Sequence, residues 1–162
     1  MRATAIFCES SLLSRPRWVG WATVLIGMLF MTLSLPARDK DDAEVAARRL
    51  AAEFEKEQYE FRADAWVRDL SPKVGKALKV QLFKGNDYRF CVAVPRESGV
   101  FITAAVLDLE GRPTGEIQPV VDGWGCVLSF SPRKTGVYVV AVRQTGEGKA
   151  REVPCAVLTG YK

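Results

Sequence analysis

An antiparallel β-sandwich or jelly roll of about seven short strands, preceded by one helix and an N-terminal signal segment, is the all-β fold class this sequence predicts. Two observations carry it. From Leu82 to Val142 the pieces LFKGNDYRFCVAVP, VLDLEGRP and LSFSPRKTGVYVVAV alternate apolar and polar residues between glycine-marked turns, the period-two pattern of strands. Upstream, one stretch combines strong helix formers with neither glycine nor proline, so a single helix is expected there.

Residues 1–37 read as a targeting segment. Arg15-Pro16-Arg17 is a basic stop, Trp18 to Leu35 carries no charge, Pro36-Ala37 breaks the run, and charge returns at Arg38-Asp39-Lys40. A basic region, an apolar run and a small residue before a polar chain describe a secretory signal. The competing reading is an uncleaved anchor, because the run just reaches the length that spans a bilayer. Either way the remainder is expected outside the cytoplasm, periplasmic or extracellular, since the arginines precede the span. A chain starting at Arg38 has the size of one domain. Losing Arg2, Arg15, Arg17 and Glu9 lowers the net charge of +4 by two. The remaining basic residues are scattered among acids, so no nucleic-acid footprint is visible. Contact with a membrane is expected only through the N-terminal segment, if that segment is retained.

Residues 38–70 are expected to hold the helix, from Asp41 to about Arg68. Asp41 or Asp42 suits the N-cap, and Glu44 is an acid in the first turn. Val45, Leu50, Phe54, Phe61 and Ala65 would share the apolar face, with Arg48, Glu55, Lys56 and Arg62 on the wet one. Residues 71–76, with Ser71-Pro72 and Gly75, read as a linker, and residues 77–162 as the sandwich. Leu78, Val80 and Leu82 alternate in the first strand, and Lys84-Gly85-Asn86-Asp87 turns the chain. Tyr88, Phe90, Val92 and Val94 alternate in the next. Phe101 to Leu109 is nearly all apolar, as a central strand would be. Glu110 to Pro113 turns, and Ile117 to Val121 suits a short edge strand. Cys126, Leu128 and Phe130 alternate, Ser131 to Gly136 turns, Tyr138 to Val142 follows, and Val153 to Leu158 closes the domain.

Three short motifs within this run resemble the bacterial pre-peptidase C-terminal domain. They are Lys84-Gly85-Asn86-Asp87-Tyr88-Arg89-Phe90, then Leu107-Asp108-Leu109-Glu110-Gly111, then Phe130-Ser131-Pro132 with Thr135-Gly136-Val137-Tyr138-Val139-Val140. The resemblance covers roughly residues 76–143. It implies an exported β-sandwich without catalytic activity, of the kind appended to secreted enzymes to aid solubility, secretion or substrate contact. Tyr88 and Tyr138 are expected to fill the core with their hydroxyls at its rim.

Candidate site residues are few. The chain contains no histidine, which excludes Ser-His-Asp and Cys-His arrangements and removes the commonest general base. Asp87, Glu97, Glu110, Glu116 and Asp122 sit in or beside turns, where acids are usually solvated. Asp108 ends a strand and is expected to bond to its own turn. Neither a metal site nor a cofactor is implied. Trp124, between Gly123 and Gly125 and beside Asp122, is the binding candidate; its ring either faces a ligand or folds back to cap the sandwich. Cys91, Cys126 and Cys155 follow the signal, and in an exported chain one disulfide is expected. Cys91–Cys155 is the chosen pair, because Cys126 shares its face with Leu128 and Phe130. The function expected is a non-catalytic accessory or binding module of the cell envelope, engaging an envelope protein or polysaccharide. The alternative is a structural subunit of an envelope assembly engaged through the 41–68 helix; a carboxylate- or thiol-dependent enzyme comes last.

Overall fold

Strands that alternate in sequence need a second sheet to bury their apolar side, and two sheets form. The structure, a computed structural model, describes residues 37–162 apart from 109 and 121. The stretch expected to act as a targeting segment, residues 1–37, lies outside the described residues except for Ala37, and both readings of it with it. Among the described residues no helix is long and apolar enough to cross a membrane.

Helix α1 (Ala37–Glu55) precedes ten strands: β1 (Glu60–Phe61), β2 (Trp66–Leu70), β3 (Lys76–Leu82), β4 (Tyr88–Ala93), β5 (Ile102–Leu107), β6 (Pro113–Thr114), β7 (Glu116–Pro119), β8 (Gly125–Phe130), β9 (Gly136–Gln144) and β10 (Val153–Tyr161). Sheet A runs β1-β10-β4-β8-β7, with β2 also on β10; sheet B runs β3-β9-β5-β6. Every strand pair is antiparallel. The sandwich expected from the alternation is therefore present. Phe90, Val92, Leu128 and Val157 from sheet A meet Val80, Leu82, Val106 and Val140 from sheet B in the core between the sheets.

The helix is shorter than its composition suggests and begins earlier. It starts at Ala37, directly after Pro36 in the sequence, so Asp41 and Asp42 lie inside it rather than at its cap. It ends at Glu55 in a complete Schellman close. The Gln58 N–H donates to Glu55 O at 3.1 Å and the Tyr59 N–H to Phe54 O at 3.1 Å. Gln58 takes φ +67°, and the Phe54 and Tyr59 rings meet edge to face at 6.1 Å, the apolar contact that accompanies this motif. Residues 60–70 then form β1 and β2 along one edge of β10. The sandwich thus begins at Glu60 instead of residue 77, and the expected 71–76 linker gives way to β3 at Lys76.

Alanines carry the buried face of α1. Ala43, Ala46, Ala47 and Ala51, with Leu50 and Phe54, pack on Cys91, Ala93, Val127, Ala156 and Leu158 of the outer face of sheet A. Their spacing of three and four residues makes one stripe, and the small side chains let the helix lie close to the sheet. Val45 falls off that stripe and is 47% exposed. Arg48 pins the helix to the next segment, donating to Glu44 Oε1 and, at 2.6 Å, to Ala63 O. Because α1 roofs sheet A, β4 and β10 are buried on both faces. The fully covered strands are these two, whereas β5 is buried on one face and half-buried on the other. The expected edge strand is β7, exposed along its whole length.

The expected Cys91–Cys155 bridge is not formed. Cys91, Cys126 and Cys155 are free and buried. Leu158 stands opposite Cys91 across the β10–β4 ladder and shares its face. Cys155 is an odd number of residues away and so faces the other side. Cys91 packs under α1 while Cys126 and Cys155 sit in the inter-sheet core, so the sheet itself separates the chosen pair.

Candidate functional site

Two clefts flank sheet A. The larger, about 960 Å³, opens at one end of the sandwich where the two sheets part. Its walls come from the β3–β4, β5–β6 and β8–β9 turns, the places where the three motifs of the sequence analysis sit. Two of those turns, β3–β4 and β8–β9, are bonded to each other. The Lys84 N–H donates to Thr135 Oγ1 at 3.0 Å, and the Ser131 hydroxyl donates to the Asp87 carboxylate. Phe130 and Tyr138, with ring centroids 5.1 Å apart, line the cleft with their half-buried rings. The Tyr138 hydroxyl donates to Lys134 O at 2.9 Å, and Tyr88 accepts the Phe83 N–H at 2.9 Å. Both tyrosines therefore fill the core and keep their hydroxyls at its rim, as expected.

The cleft carries balanced charge: Asp87, Asp108, Glu110 and Glu116 against Arg89, Arg112, Arg133 and Lys134. Asp108 organises the β5–β6 turn. Its Oδ1 accepts the Glu110 and Arg112 N–H groups at 3.0 and 2.8 Å, and its Oδ2 accepts Arg112 Nε at 2.8 Å. The backbone bond from Arg112 leads in holding this carboxyl below its usual range, with the guanidinium adding to it. Arg112 also reaches Glu110 Oε2 at 2.9 Å. The turn thus presents a planar guanidinium held between two carboxylates, oriented before any ligand arrives. Among the described residues no three acids, cysteines or histidines come close enough to hold a metal ion.

Trp124 lines the smaller cleft, about 450 Å³, between α1 and the β7–β8 edge, whereas Asp122 does not line it and meets it only through Arg96. Trp124 is half-buried and touches both apolar clusters, and the Arg96 guanidinium lies 5.8 Å from its ring centre. Its carbonyl accepts the Val94 N–H at 3.0 Å. Asp122 adopts φ +73° and pairs with Arg96 at 3.9 Å, both side chains exposed. At Gly123, with φ +67°, an added Cβ would stand 2.7 Å from Phe101 Cγ, so only glycine fits this corner. Trp124 therefore spans helix, sheet and groove at once. Asp122 and Trp124 do not join the larger cleft.

Among the described residues the thiols offer no nucleophile at neutral pH. Burial pushes Cys91 and Cys126 up to about 12 and Cys155 higher still, so all three stay protonated. Sequence reasoning missed Arg112, Arg133, Lys134 and Tyr138 as a group, because it took their turns one at a time. The signal available was the pairing of strands: alternate connections of an antiparallel sandwich return to the same end.

No family model matches the chain, and no curated protein matches it.

Proposed function

We propose that the chain is an exported, non-catalytic binding module of the bacterial cell envelope, similar in role to the pre-peptidase C-terminal domains its motifs resemble. Its ligand is an envelope polysaccharide, held in the cleft at the open end of the sandwich. The observation that carries this reading is the convergence of the three motif turns on one cleft with an aromatic wall and preoriented charge. Polyhydroxylated ligands are recognised by planar carboxylates and guanidinium groups already fixed in place, with an apolar ring beneath a sugar face; fixing them beforehand lowers the ordering cost of binding. The absence of histidine and the protonation of all three buried thiols support a role without chemistry. Export rests on the basic, apolar and small-residue sequence of residues 1–37.

Calorimetric titration of the purified chain with soluble peptidoglycan fragments and with the exopolysaccharide of its source tests the assignment. Binding by the native chain, lost in Arg112→Ala and in Arg133→Ala but kept in Arg96→Ala at the other cleft, is the expected result. Retention of full affinity by both cleft variants, or no heat with either glycan, would defeat it. The 41–68 helix gains no support as an assembly surface, since the apolar stripe of α1 is spent on sheet A.

A further inference from the structure

We propose that the outer face of sheet B docks an amphipathic helix of a partner protein whose apolar stripe is flanked by acidic residues. β5 and β9 are largely apolar on both sides, Thr103 and Arg143 being the polar residues of their outer side. Val106, Val140 and Val142 point into the core. The alternate residues Ala105, Leu107, Val137, Val139 and Ala141, joined by Ala77 of β3, lie on the opposite side. Register aligns Ala77, Ala141 and Ala105 in one row and Val139 with Leu107 in the next. A strand apolar on both faces is the pattern of one covered twice. Among the described residues nothing covers this side, and Val137 remains 39% exposed. Sheet A gives the precedent within the same molecule. Its outer face is made of equally small residues, Ala93 and Ala156 among them, and a helix presenting alanines roofs it.

Charge and area choose the occupant. The ionisable side chains on this face are Lys79 and Arg143, both exposed, with no acid among them. A second copy packed face to face would bring cation against cation, whereas acids beside a helical stripe would pair with both. Strands of seven, nine, six and two residues, about 4.8 Å apart, offer on the order of 380 Å². That is roughly half of the 800 Å² per partner in a standard interface. A helix of about 15 residues, some 22 Å long and 10 Å wide, runs the length of the face and covers a little over half of it. This surface meets the sugar cleft at Val137, and neither test substitutes that residue, so each proposal stands or fails without the other.

The test uses the full chain in its own cells, carrying the photo-cross-linker p-benzoylphenylalanine at position 141, or at the solvent-facing position 56 as control. The expected product links position 141, and not position 56, to one protein. Its cross-linked peptide, mapped by mass spectrometry, has apolar residues at three- and four-residue spacing with Asp or Glu beside them. The band disappears in the Lys79→Glu/Arg143→Glu double variant, whose melting temperature is unchanged because both side chains are solvated. A product with a second copy, with lipid, or with a segment lacking that pattern overturns the proposal. So does the absence of any product, or a band indifferent to the charge reversal.

Discussion

Trp124 is where the two readings of one residue meet. Its ring packs on both apolar clusters while one edge faces the smaller groove. Full truncation of a core tryptophan costs about 3–5 kcal/mol, and a half-buried one correspondingly less, about 2 kcal/mol. Trp124→Ala should therefore lower the urea midpoint with an unchanged slope, and should leave glycan binding at the larger cleft intact. An unaltered midpoint would return the ring to the role of a free surface anchor. Single residues were legible in the sequence where strand alternation set their direction. Cys126 and Cys91 face opposite sides of the sheet, and Asp108 closes its own turn. Cys155 was not legible, because its strand is apolar on both faces and alternation says nothing there. The coverage of Cys91 by α1 was also invisible, since parity tells which side a residue faces and not what lies on that side.

The end of α1 shows why elements are harder to read than residues. Helix-forming composition continues past Glu55 through Lys56, Glu57 and Gln58, and the usual stop signal, a glycine at the left-handed position, is missing. Gln58 takes that conformation instead. A Cβ there costs roughly 1–2 kcal/mol, offset by the Schellman bonds and the Phe54–Tyr59 contact. The pairing of residues 60–70 with β10 then overrides their local propensity, since that edge of β10 would otherwise be unpaired. Phe61 lies over Gly160, where an added Cβ would stand 2.6 Å from its ring; no local pattern announces such a contact. Gln58→Gly should remove the conformational cost and raise stability by about 1 kcal/mol, a rise of several degrees in melting temperature for a domain of this size. A lower melting temperature would mean that the Gln58 side chain contributes more than its backbone costs.

At the scale of the whole molecule, the free thiols among the described residues all sit in sheet A, on β4, β8 and β10, buried beneath α1 or between the sheets. That burial keeps Cys91, Cys126 and Cys155 from reacting or mispairing, so thiol chemistry and global stability are linked. Each thiol has an ordinary value of 9.0, and burial raises Cys91 and Cys126 to about 12 in the folded chain. Above pH 9 the unfolded chain loses protons that the folded chain retains, so stability falls as pH rises, and continues to fall until the folded thiols ionise near 12. Below pH 9 both states are protonated and this contribution is constant. Each thiol steepens the decline by up to about 1.4 kcal/mol per pH unit. Substitution isolates the thiol share. Urea midpoints measured from pH 8 to 10.5 should fall steeply for the native chain and less steeply for Cys126→Ala, although that variant starts lower because it leaves a small cavity. Parallel pH profiles for the two chains would mean that Cys126 ionises as readily folded as unfolded, and that the core around it admits water.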